Sequence, residues 1–194
     1  SQGTNYICRP LCEINAGTLA VNSCSLGEST GSYAVVTVRG GTLLSAGNIH
    51  VGGTQNPAGT GTLNLSGTGV VDVATDVSLA ASTGGYGTLN LDGGTLIARN
   101  IVKGTGISGL LWFNGGRFMP RTEGRSLSGL TAAYVSTNGA VIDTSLASYT
   151  LAQNLLHAPG APGVDGGLVK LGTNNLTLAS YGSTYTGPTA VSNG

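Results

Sequence analysis

The sequence predicts an all-β chain wound as a right-handed parallel β-helix, a three-sided β-solenoid in one domain. Three observations predict it. Glycine supplies 34 of the 194 residues. Short runs of alternating apolar and polar residues recur along the chain. Those runs return at a near-constant spacing, the signature of a stacked repeat.

Glycine at this level, with Pro at only 6 positions and no G-x-y period, excludes collagen. Apolar residues make up 40% of the chain, which excludes a disordered glycine-rich linker. Many short strands joined by many tight turns fit both values. Charge is scarce, with 8 basic and 8 acidic residues and a net charge of zero. A nucleic-acid partner needs clustered Lys and Arg to displace counterions. Here the lysines are only Lys103 and Lys170. A basic patch for a membrane surface is absent for the same reason. No apolar run approaches the roughly 20 residues that span a bilayer as a helix, so this segment is not expected to insert in a membrane. The chain opens without a signal-peptide pattern. It is expected to be an excised or processed piece of a longer protein, secreted or held at the cell surface.

The repeat is anchored at Ile14, Val38, Leu65, Leu91, Phe113 and Val135, positions 22 to 27 residues apart. Each anchor precedes a glycine-rich corner, as in Val38-Arg39-Gly40-Gly41-Thr42 and Leu91-Asp92-Gly93-Gly94-Thr95. Each interval divides into three strands. The second turn reads Ala34–Val38, Thr42–Ser45 and Asn48–Val51. The third reads Thr62–Leu65, Val70–Val73 and Asp76–Leu79. The fourth reads Thr88–Leu91, Thr95–Ala98 and Asn100–Val102. Alternation sends Leu63 and Leu65 inward and Thr62 and Asn64 outward. Val36, Leu63, Leu89 and Leu111 are then expected to stack into a continuous core. Sharp corners need positive φ, which glycine adopts without steric cost. Gly40-Gly41, Gly93-Gly94 and Gly115-Gly116 are expected at equivalent corners. An antiparallel sandwich needs no such long-range register, and a propeller blade needs a longer period. About seven or eight layers at ~4.8 Å each would make a rod of order 35–40 Å long.

Beyond residue 135 a longer pattern emerges. Asn138-Gly139-Ala140-Val141-Ile142-Asp143 is followed by Gly166-Gly167-Leu168-Val169-Lys170-Leu171-Gly172, then Asn175-Leu176-Thr177-Leu178, and finally Tyr185-Thr186-Gly187-Pro188-Thr189-Ala190-Val191. Residues 138–194 resemble the autotransporter-associated β-strand repeat. The remainder resembles that family only through its general β-helix pattern. Asn174-Asn175 stands where the family usually places a glycine. The resemblance implies a passenger region of a bacterial secreted or surface-displayed protein, folded as a β-helix. Passenger β-helices of that kind are often adhesive stalks, and some carry enzymatic domains as insertions, of which none of that size is evident in this sequence.

The expected organisation is an N-terminal arm or cap over 1–13, carrying Cys8 and Cys12, followed by solenoid repeats over 14–194. The last layer presents an open edge, a template for another strand, and no charged capping helix is evident. Tyr185 and Val191 at one end, and Ile14, Thr18 and Leu19 at the other, are the candidate assembly residues. Their partner is a second copy stacked head to tail or adjoining layers of a longer chain. Truncation of a longer repeat array gives the same open edge. Cys8, Cys12 and Cys24 are disulfide candidates, since Cys-x3-Cys without further ligands makes a poor zinc site.

Catalytic chemistry finds little support. Glycoside hydrolysis needs two carboxylates across a cleft. Glu13, Glu28, Asp72, Asp76, Asp92, Glu123, Asp143 and Asp165 mostly stand alone in sequence, with Asp72 and Asp76 flanking a corner. A polysaccharide-active enzyme is therefore the minor alternative. His50 should point outward between Ile49 and Val51, and His157 falls in a loop, both solvated and without an evident partner. The G-G-x-G-x-D calcium repeat is absent, and no cofactor or metal is expected. Asn64 and Asn175 head sequons on expected strands. Trp112 by alternation faces outward, near Arg117, Arg121 and Arg125. That group is a candidate binding face for a glycan or a surface protein, or else the base of a loop over 120–131.

Overall fold

The computed structural model describes residues 5–8, 11–161 and 163–192, with side chains from Leu11 onward. Its regular elements are all β-strands, and every ladder between them is parallel. The chain is thus a parallel β-solenoid of about 8 turns, as its repeat predicts.

It winds layer upon layer. The first layer holds β1 (Asn5–Cys8), β2 (Leu11–Ile14) and β3 (Thr18–Val21). The second holds β4 (Ser23–Leu26), β5 (Tyr33–Val38) and β6 (Thr42–Ser45). In the third, β7 (Ile49–Val51) precedes β8 (Thr60–Val73), one long strand that serves two faces. β9 (Asp76–Leu79) and β10 (Tyr86–Ala98) repeat that arrangement. Next come β11 (Asn100–Lys103), β12 (Ser108–Phe113) and β13 (Arg117–Pro120), then β14 (Arg125–Leu127), β15 (Ala132–Val135) and β16 (Ala140–Asp143). β17 (Tyr149–Leu151), β18 (Leu155–His157) and β19 (Leu168–Leu171) form the penultimate layer. The last contains β20 (Leu176–Leu178) and β21 (Thr189–Val191). Residues 5–8 and 11–13, expected as an arm or cap, pair in parallel with β4 and β5 and belong to the first layer. The expected loop over 120–131 contains a strand, β14.

Three faces result. The first strand of each layer builds the first face, in two sheets: β1-β4-β7-β9-β11 and β14-β17-β20. The second face holds β2, β5, the leading halves of β8 and β10, then β12, β15 and β18. The third holds β3, β6, the trailing halves of β8 and β10, then β13, β16, β19 and β21.

Alternation along each strand decides what lies inside. The anchors Ile14, Val38, Leu65, Leu91, Phe113 and Val135 stack in one register row, as do Val36, Leu63, Leu89 and Leu111. Their side chains form one buried cluster running through the layers. A Leu in the middle of this column touches the layers above and below, and the other faces of the solenoid close it from the side.

Two glycines illustrate different corner requirements. Gly94 has φ +65, a conformation that a side chain rarely adopts. Gly41 lacks a positive φ, yet a Cβ there would lie 2.6 Å from Ile14 Cγ2 and 2.8 Å from the Gly17 carbonyl oxygen. Its constraint is the close approach of the preceding layer, not backbone conformation.

The interruption of the first face between β11 and β14 is bridged by side chains. Asn100 Nδ2 donates to the Ser126 carbonyl at 3.1 Å. The hydroxyl of buried Tyr149 donates to Asn100 Oδ1. Burial raises the Tyr149 pKa above the ordinary tyrosine value, so the hydroxyl remains a donor. Its ring meets Phe118 edge-on at 5.3 Å.

Candidate functional site

The feature that departs most from the solenoid's internal logic is the end carrying β20 and β21. On the first face Leu127 and Leu151 are 0% and 1% exposed, whereas Leu178 in the same row is 50% exposed. On the third face Leu43, Val71, Leu96, Phe118 and Ile142 are buried, whereas Val191 is 65% exposed. These residues hold core positions, and among the described residues no further layer covers them. Between them opens a cavity of about 260 Å³, lined by Leu168, Lys170, Leu176, Leu178, Thr189 and Val191 among others. A smaller recess of about 90 Å³ lies between Leu155, Leu168, Leu178 and Tyr185.

Lys170 occupies an inward position between Ile142 and Val191 and is 7% exposed. Its ammonium donates to the Gly172 carbonyl oxygen at 2.5 Å. The stem packs with the core while the head reaches a corner, the usual compromise for a long basic side chain.

A second polar element ties this end together. Asp165 is 3% exposed. Its Oδ1 accepts from the amides of Gly167 at 3.0 Å and Gly187 at 2.8 Å. Its Oδ2 accepts from the Thr186 amide at 2.8 Å and lies 2.8 Å from His157 Nδ1. Burial alone would raise the carboxyl pKa. The Thr186 amide, the His157 ring and the amides of Gly187 and Gly167 outweigh burial and hold it at about 2. One carboxylate thereby fastens the long corner at 158–167 to the segment leading into β21. The structure corrects the expectation for His157: it closes β18, in register with Val135, and has a partner. Adding the 22-residue interval to the anchor at 135 would have placed it on the repeat.

The other candidate assembly residues differ in exposure. Ile14 is 6% exposed, Leu19 is half-buried against the core, and Thr18 is exposed on β3. Tyr185 packs partly against the core, its hydroxyl 2.7 Å from Thr189 Oγ1. Cys12 packs against the core below Val36, and Cys24 is buried below Ile49. The Cys8 side chain lies outside the described ones, and the disulfide expected among Cys8, Cys12 and Cys24 lies outside them with it.

The group around Trp112 is distributed over three faces. Trp112 sits on β12 of the second face and packs on Tyr134, with ring centroids 4.5 Å apart and planes tilted by 39°. Arg117 begins β13 on the third face and pairs with buried Asp143 at 3.3 Å. Arg121, past the end of β13, pairs with Asp72. Arg125 opens β14 on the first face and is exposed.

The acids that stand alone in sequence find partners in space. Asp76 holds Arg99 in a two-pronged pair at 2.8 and 2.5 Å. Glu13 lies 3.6 Å from Arg39. Glu123 accepts from the Ser148 amide and Asp92 from Asn114. Glu28 accepts from Ser25 and from the Thr54 amide and hydroxyl. Burial works against its ionisation, and these bonds win, lowering its pKa. His50 also differs from expectation. It points out of the core, but it is half-buried and its Nδ1 has no hydrogen-bond partner. Burial lowers its pKa, against an opposing pull from Glu28. Asn64 lies on β8, and Asn175 immediately precedes β20 instead of lying on a strand. Among the described residues no three His, Cys, Asp or Glu side chains gather as a metal site.

Compared with known proteins, the chain matches no family model, no curated protein and no solved structure.

Proposed function

We propose that this chain is a structural, non-enzymatic segment of an extracellular rod, extended by a further β-layer stacked on the β20–β21 end. The observation that carries the reading is the exposure of Leu178 and Val191 at register positions buried in the layers beneath. An apolar end at which β20 and β21 have no further strand among the described residues favours another layer of the same geometry. That layer comes from a second copy, head to tail, or from adjoining repeats of a longer parent chain. A head-to-tail contact is heterologous, so it propagates into a filament instead of closing. The acids support the structural role, because each is engaged in tying one layer or corner to another. The likeness of residues 138–194 to autotransporter passenger repeats supports placement outside the cell.

Sedimentation velocity over a range of concentrations, with electron microscopy of the same samples, tests the reading. The expected result is growth into rods, abolished by Leu178→Asp with Val191→Asp. A wild-type chain that stays monomeric at high concentration would remove head-to-tail stacking of copies. Addition of the adjoining repeats would then be the remaining route to cover the end.

A further inference from the structure

The second face carries a surface that end-to-end stacking does not use. Its strands turn outward a row in which Glu13, Thr37, Asn64, Asn90, Trp112, Tyr134 and Leu156 follow one another, one per layer; Thr37 is buried, and Asn64, Asn90, Trp112 and Tyr134 are half-buried. Successive members are about 4.8 Å apart along the rod. The row begins as a ladder of polar groups. Asn90 Nδ2 donates to Asn64 Oδ1 at 2.7 Å, and Asn64 Nδ2 donates to Thr37 Oγ1 at 3.3 Å. It then becomes aromatic at the Trp112–Tyr134 pair. Tyr86, 45% exposed, flanks it at the far edge of β10.

The middle of this face has no charge, and Glu13 on β2 at its lower end pairs with Arg39. The outer strands at 33–37, 60–64, 86–90, 108–112 and 132–134 contain no Asp, Glu, Lys or Arg. Charges at its borders are already engaged, Arg39 with Glu13 and Asp92 with Asn114. A polyanion or polycation would gain no Coulomb attraction here and would lose hydration. A protein partner pressed flat on the face would bury Thr and Asn groups and would have to satisfy each one. A neutral sugar chain matches both halves of the row. The C–H face of a sugar ring lies on a Trp or Tyr ring, which has a large apolar body. Its equatorial hydroxyls meet Asn amides, each with two N–H donors and two acceptor lone pairs, more than the ladder uses. A linear chain running along the rod would meet one residue of the row at every layer, first polar and then aromatic.

We infer that the second face is a binding track for a neutral, linear polysaccharide, with Asn64 and Asn90 as hydrogen-bonding residues and Trp112 and Tyr134 as the stacking platform. The inference is independent of end stacking. The chain has one tryptophan, so its fluorescence reports on this track alone. The experiment titrates the protein with a soluble β-glucan, a galactomannan and an α-glucan, with polygalacturonate as the charged control. Tryptophan emission and mobility in glycan-containing native gels are the readouts. The expected result is a saturable change with at least one neutral glycan, unaffected by molar salt. Tyr134→Ala and Asn90→Ala should each weaken it at least fivefold, and Trp112→Ala should abolish the gel shift. Circular dichroism checks that the variants keep the wild-type fold, and Trp112→Phe is expected to retain most of the gel shift. Three outcomes overturn the proposal: no response to any neutral glycan, a response to polygalacturonate alone that salt removes, or dimerisation through this face abolished by Trp112→Ala.

Discussion

Four donors converge on the carboxylate of Asp165, and three of them are backbone amides that cannot turn elsewhere. Replacing it by Asn keeps one acceptor oxygen and sets an N–H donor against amide donors. Loss of such buried bonds costs about 1–3 kcal/mol. The pH dependence follows from the direction of its shift. The folded-state pKa, about 2, lies below the ordinary value of 3.8. The stabilisation is therefore fully present above the ordinary value and is lost as pH falls through the folded value. Denaturant unfolding of wild type and Asp165→Asn should show a constant gap from pH 7 to pH 5 that narrows below pH 4. A gap unchanged at pH 2.5 would assign the effect to something other than the ionised carboxylate. His50 marks where residue-by-residue reading stops. Alternation gives the direction of a side chain, and His50 does point outward, but it says nothing about what folds over that side chain from another layer.

At the scale of the strand, the column through the core sets what a substitution costs. Leu89 is enclosed by Leu63 below and Leu111 above and is fully buried. Its replacement by Ala opens a cavity that the flanking layers cannot close, for a loss of about 2–5 kcal/mol. Leu178→Ala deletes the same atoms from a half-exposed end and should cost well under that. Urea unfolding at low protein concentration separates the two. Equal losses would mean that the end layer is covered in solution. Such rows were readable in the sequence because an inward position is apolar in nearly every layer, so Ile14, Val38, Leu65, Leu91, Phe113 and Val135 announce their own register. Interruptions of the row were not readable. His157 replaces an aliphatic at the next anchor, and its explanation is Asp165, held across a corner. Arg121 finds Asp72 across an intervening layer, 49 residues away in sequence. The pairing of Tyr149 with Asn100 exists only because the first face breaks between β11 and β14. Each depends on which residues the winding superposes, and corner lengths vary too much for spacing alone to give that.

Over the whole molecule, stability is a sum over layers, each touching mainly its neighbours. Its terms are backbone ladders and stacked aliphatics, with charge at the margin. The Arg–carboxylate pairs lie on outer faces, and in every one the arginine is at least a third exposed. Exposed pairs of this kind contribute about 0–1 kcal/mol each. In molar salt the screening length shrinks to about 3 Å, so most of that small contribution is removed. Burial of apolar surface is not weakened by the same change. Raising sodium chloride from 20 mM to 1 M should therefore move the thermal unfolding midpoint by only a few degrees. Differential scanning calorimetry at both salt concentrations checks this. A large fall would mean that the inter-layer ion pairs, and not the stacked core, hold the layers in register. The arginines would then be the positions to substitute first, beginning with Arg99, whose two-pronged hold on Asp76 joins adjacent layers.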